Sequence, residues 1–217
     1  VAGQNNQGTH SVSIGDSAGQ HTQGSYSIAI GDKAGEGGSG AANDEQATQA
    51  VAIGTNAGSV GQGADSIAIG TSAASGGADG TGATTGQGTS AVAIGNIAGQ
   101  TNQGDDTVAI GTAAGNDTQG INSVAIGLNA ANDNQGTSAV AIGEDAGATT
   151  QGNSTVAIGT TAGTTSQGDN SVAIGVIAGS TNQGVSSVAI GVNSGQTTQG
   201  TSSVAIGDTA GECNSRC

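Results

Sequence analysis

His10 and His21 are the only imidazoles in the chain, and its two cysteines, Cys213 and Cys217, fall in the last five residues. The histidines are eleven residues apart, and no carboxylate or thiol keeps a matching spacing, so they read as two surface residues rather than a metal set. Carboxylates pair at Asp105-Asp106 and Glu144-Asp145 and stand singly at Asp16, Asp32 and Asp208, all turn positions where Asp is favoured. Stacked turn carboxylates recruit Ca²⁺ weakly at best, and no other cofactor is expected. Ser and Thr are abundant, but no base is placed to activate one. Asn116-Asp117-Thr118 and Asn153-Ser154-Thr155 fit the N-glycosylation triplet. Cys213 and Cys217 can pair with each other or lock one copy to the next, and either disulfide implies an oxidising, extracellular setting. None of this is the equipment of an enzyme.

Composition narrows the classes further. Of 217 residues, 43 are Gly and none is Pro, Phe, Trp or Met, so a conventional large-side-chain core is excluded. The formal net charge of −14, with Lys33 and Arg216 the only strong bases, leaves no cationic footprint for nucleic acid or an anionic membrane surface. No apolar run approaches the roughly 18 residues of a transmembrane helix. The start at Val1-Ala2 reads as a mature or excised segment.

What positions these residues is a repeat. The Gly closing each "-IG" recurs at 15, 31, 54, 70, 95, 111, 127, 143, 159, 175, 191 and 207. The period is 16, broken by two insertions near 36–44 and 75–86. Such a period predicts a solenoid with one coil per repeat. "S-V-A-I-G" alternates β-branched residues and reads as a short strand, with Gly allowing the reversal after it. "A-G-x-x-x-Q-G" reads as a second extended segment. The expected fold is all-β: a parallel β-roll of about twelve coils over 1–211, two short strands per coil, with a Cys-containing tail at 212–217. At about 4.8 Å per coil the stack is a rod roughly 60 Å long.

Three columns are held nearly constant. Ile14, Ile30, Ile53, Ile69, Ile94, Ile110, Ile126, Ile142, Ile158, Ile174, Ile190 and Ile206 are expected to form an internal ladder. Ala29, Ala52, Ala68, Ala93, Ala109, Ala125, Ala141, Ala157, Ala173, Ala189 and Ala205, with Ser13 in the first coil, then fall on the opposite face. A tiny residue held outward suits close approach of another backbone, which makes the Ala strip the expected oligomer interface; the alternative is a tight internal wall. Gln103, Gln119, Gln135, Gln151, Gln167, Gln183 and Gln199 continue a column begun at Gln7, and are expected to bond amide to amide along the stack. The column reading His21, Val60, Thr101, Asp117, Asp133, Thr149, Thr165, Thr181, Thr197 is too ragged for a lattice-matched ice-binding face.

"SVAIG" followed by a small-residue-plus-Gly turn resembles the head repeats of YadA-like trimeric autotransporter adhesins. The "AIGxxAGxxNQG" pattern is also similar to fibre repeats of large DNA viruses and phages. The resemblance covers nearly the whole chain apart from the insertions and the tail, and the sixteen-residue period is where it departs. It implies a left-handed roll, trimerised side by side, serving as an extracellular rod or attachment head. The expected function is therefore a structural or adhesive fibre protein on a cell or virion surface. Its partners would be copies of itself, side by side or end to end, and a surface receptor or glycan. A monomeric ice- or glycan-binding solenoid is the rival reading.

Overall fold

A computed structural model describes residues 1–37, 45–76 and 86–211. Most of both insertions, and the tail with Cys213 and Cys217, lie outside the described residues. The chain forms two compact units, Val1–Thr118 and Gln119–Cys217. Among the described residues there is no helix, as the Gly content and the missing 3.6-residue period require.

The first unit contains β1 (Val12–Ile14), β2 (Ile28–Ile30), β3 (Val51–Ile53), β4 (Ile67–Ile69), β5 (Val92–Ile94) and β6 (Val108–Ile110). Each pairs in parallel with the next, like residue over like residue. The stacking survives both insertions: Ile30 lies beside Ile53, and Ile69 beside Ile94. The register of the coils is therefore the same on either side of each insertion.

The second unit has β7 (Val124–Ile126), β8 (Asp133–Gln135), β9 (Val140–Ile142), β10 (Thr149–Gln151), β11 (Val156–Ile158), β12 (Thr165–Gln167), β13 (Val172–Ile174), β14 (Thr181–Gln183), β15 (Val188–Ile190) and β16 (Val204–Ile206). The Val-Ala-Ile strands stack in one parallel sheet, and β8, β10, β12 and β14 stack in another. This is the β-solenoid read from the sequence, with one difference. The Ala-Gly pair lies in the turn after the strand, so the second extended leg begins only at the residues just before Gln.

Backbone hydrogen bonds between coils hold the stack. The Val12 N–H donates forward to Ser27 O (3.0 Å) and the Gly19 N–H to Ala34 O (2.9 Å). The Gly31 N–H donates back to Ile14 O (2.8 Å), and the Lys33 N–H to Asp16 O (2.8 Å). Several backward donors, Lys33 (φ 55°) and Tyr26 (φ 59°) among them, have left-handed backbone. The Gly after each strand has a stricter reason to be Gly. At Gly159 (φ +129°) a Cβ would lie 2.5 Å from Gly175 O in the next coil.

The interior reverses one sequence expectation. Ala29, Ala52, Ala68, Ala93 and Ala109 in the first unit are wholly buried within a single chain, as are Ala125, Ala141, Ala157, Ala173 and Ala189 in the second, and Ala205 nearly so. The Ala strip is the tight internal wall and is not an oligomer interface. The flanking Val and Ile of every strand face outward. Ile14, Ile110 and Ile206 are exposed, and Ile30, Ile53, Ile69, Ile94, Ile126, Ile142, Ile158, Ile174 and Ile190 are half-covered. Ile does stack on Ile in register, but the ladder is external.

The reason is width. The space behind the strand is already shared by the buried Gln, by a second Ala column from the turn (Ala18, Ala34, Ala57 and their equivalents) and by a Ser/Thr/Ala column just before each strand. Each hydroxyl of that last column donates to the Gly carbonyl three residues earlier, as from Ser27 to Gly24 O at 2.6 Å and from Thr107 to Gly104 O at 2.8 Å. An Ile on that side would collide with close-packed neighbours.

Candidate functional site

Three-residue strands alternate, so once Ala turns inward its two β-branched neighbours must face out together. Stacking in register then produces two adjoining apolar columns on the outer face of each unit. In the second unit these are Val124, Val140, Val156, Val172, Val188 and Val204 beside the matching Ile residues. Vertical contact covers part of each side chain; Val204 and Ile206 remain 68% and 64% exposed. A strip of contiguous Val and Ile on a chain of charge −14 departs from an ordinary solvated surface.

The Gln column supports that face from behind. Gln103 Nε2 donates to Val92 O (2.9 Å), Gln135 to Val124 O (2.9 Å), Gln151 to Val140 O (2.8 Å) and Gln167 to Val156 O (2.9 Å). Gln183 reaches Val172 O (2.7 Å) and Gln199 reaches Val188 O (2.8 Å). A second, longer contact runs from the same nitrogen to the carbonyl four residues on, as from Gln119 to Ser123 O at 3.5 Å. Amide-to-amide bonds occur at Gln46–Gln62, Gln135–Gln151 and Gln183–Gln199. The amide ladder is thus secondary; each Gln mainly crosses the interior to satisfy the carbonyl of the preceding Val or Ile. It also fixes its neighbour. A Cβ on Gly163 would lie 2.7 Å from Gln167 Oε1, which is why Gly precedes Gln by four residues in most coils.

The other candidate residues are dispersed. His10 stacks on Tyr26, ring centroids 5.0 Å apart and 5° from parallel, and the structure does not pair it with His21. Among the described residues no group of three or more His, Cys, Asp or Glu is arranged to hold a metal ion. Asn116 Nδ2 is engaged with Ile97 O (3.0 Å) and Gln100 Oε1 (3.2 Å). Asn153 Oδ1 accepts from the Thr137 N–H (2.9 Å), and the Thr155 hydroxyl of its triplet is buried against Gly152 O. Thr149, Thr165, Thr181 and Thr197 stand in register along the second leg, but the exposed rank beside them reads Thr150, Ser166, Asn182 and Thr198, so the Thr array is not continued across the face.

The buried hydroxyl column, Ser27 to Ser187, escaped the sequence reading, although its restriction to Ser, Thr and Ala was a visible signal. A scan against protein families matches the YadA head domain repeat at residues 46–73 and, in overlapping segments, across 135–210. Among curated proteins none matches the chain. The matched stretches include coils from both units, each carrying the outward Val/Ile pair. The chain is therefore a β-solenoid with similarity to the YadA head domain repeat at residues 46–73 and 135–210.

Proposed function

We propose that the chain is the rod or head segment of an extracellular adhesive fibre, whose copies associate side by side through the outward Val/Ile face. The carrying observation is the inversion of each strand: Ala fills the interior, so the larger apolar side chains touch only their copies above and below and keep their outer side open. Burying such side chains is worth about 1.5–3 kcal/mol each, and the face repeats them at every coil. The adhesin-type repeat favours a structural role over catalysis, and a surface location goes with that role.

Sedimentation of the native protein tests the assembly. A stable oligomer is expected, and the Ile142→Asp/Ile158→Asp double variant should sediment as a 20.0 kDa species with unchanged β-sheet circular dichroism. A native protein that is already a monomer at micromolar concentration would exclude the reading.

A further inference from the structure

Between the Gln and the Val-Ala-Ile strand of each coil, the chain turns a corner on a pair of residues. In the first unit these pairs read Thr9-His10, Ser25-Tyr26 and Thr48-Gln49, then Ala64-Asp65, Thr89-Ser90 and Asp105-Asp106. The Tyr26 N–H donates to Thr9 O (2.9 Å) and the Gln49 N–H to Ser25 O (3.0 Å), so the first three pairs stand one over another. One rank is then all hydroxyls, Thr9, Ser25 and Thr48, with the Thr9 hydroxyl donating to Ser25 Oγ (3.2 Å). The other rank is all planar groups: the His10 imidazole, the Tyr26 phenol and the Gln49 amide. The two rings lie nearly parallel, and Tyr26 is 62% exposed. These six residues include no carboxylate, Lys or Arg, on a chain of charge −14.

The planar rank is held at a cost. His10, Tyr26 and Gln49 have φ of 60°, 59° and 59°, left-handed backbone that Asn, Asp and Ser fill at this corner in the other coils. A bulky ring at such a φ is an outlier, and strain of this kind points to a use for the side chain. Tyr26 is also the only aromatic residue among Phe, Trp and Tyr in the chain, and it lies on the surface rather than in the core. Its use is therefore external. An uncharged ring stack edged by hydroxyls and an amide fits a neutral saccharide. The apolar C–H face of a pyranose packs on an aromatic ring, and its hydroxyls exchange hydrogen bonds with the hydroxyl rank and the Gln49 amide. Acidic sugars meet the negative field of the chain with no Lys or Arg at this corner to offset it, and a basic peptide finds no carboxylate here to pair with.

Resting on the adhesive reading above, we infer that His10, Tyr26 and Gln49, with Thr9, Ser25 and Thr48, form a binding site for a neutral saccharide. Retention of the whole chain on an array of neutral and acidic oligosaccharides tests it. Neutral members should be bound, and Tyr26→Phe should still bind them. Tyr26→Asn, which suits the left-handed backbone and keeps the fold, should weaken binding about tenfold or more, the size of one aromatic stacking contact. Tyr26 is the only Tyr and there is no Trp, so a change in tyrosine emission on titration with a bound sugar reads this corner alone. No binding, binding of acidic members only, binding that Tyr26→Asn leaves unchanged, or binding without a change in that emission overturns the site. Sedimentation of the same protein reads lateral assembly separately, so an oligomer that binds no sugar overturns this site and leaves the side-by-side reading standing.

Discussion

The first unit carries its coils past two insertions, and its second leg shows only single bridges between successive Gln residues, Gln23 to Gln46 to Gln62 to Gln87. The second unit keeps the period unbroken, and the same leg becomes the four-stranded sheet of β8, β10, β12 and β14. The Val-Ala-Ile sheet is equally regular in both. The residue before Gln is Gly61 and Gly86 in two coils of the first unit, where the second unit has Asn134, Thr150, Ser166 and Asn182. Gly weakens a strand because it adds backbone entropy and packs nothing. Strand one and the inward columns thus suffice to stack a coil, and the second sheet is an addition that unbroken spacing permits.

The largest effect should ignore this difference. Gly31→Ala in the first unit and Gly159→Ala in the second each set a Cβ 2.6 Å and 2.5 Å from the next coil's carbonyl oxygen, at left-handed φ. Both should lose about 3 kcal/mol or more, read as a fall in thermal midpoint. A mild effect in one unit alone would mean the coils are not equivalent there.

An intermediate effect should separate the units. Gln87→Leu removes donors to Ile67 O (2.8 Å) and Ala91 O (3.0 Å), and Gln151→Leu removes the donor to Val140 O (2.8 Å). Each should cost about 1–3 kcal/mol in denaturant unfolding, with Gln87→Leu the more damaging because its leg has no continuous sheet to hold it. Equal losses would show that the second sheet adds little.

The smallest effect carries the opposite sign. Ser194 takes the place of Ala in the turn column, fully buried, and its Oγ has no hydrogen-bond partner among the described residues. Ser194→Ala should stabilise the second unit by about 1 kcal/mol, measured the same way. A destabilised variant would reveal a partner for that hydroxyl.

The period, the strand and the reversal after it were legible because each is local: alternating β-branched residues, then a Gly that no other residue replaces. The Gln column was legible as structural, but its target was not. A Gln recurring every sixteen residues looks the same whether it bonds its copy above or a carbonyl across the interior, and Gln151 to Val140 O shows that the second dominates.

The sequence by itself determined that this protein is a stack of coils with like residues over like, since register in a parallel sheet follows from a strict repeat. Only the tertiary structure decided which side of each strand is inside. Alternation divides Val-Ala-Ile into two faces without saying which is core, and ranking side chains by size selects the wrong one. A coil this thin, already filled by Gln, the turn Ala and a small hydroxyl, has room for one methyl group, so the larger residues are left on the outer face.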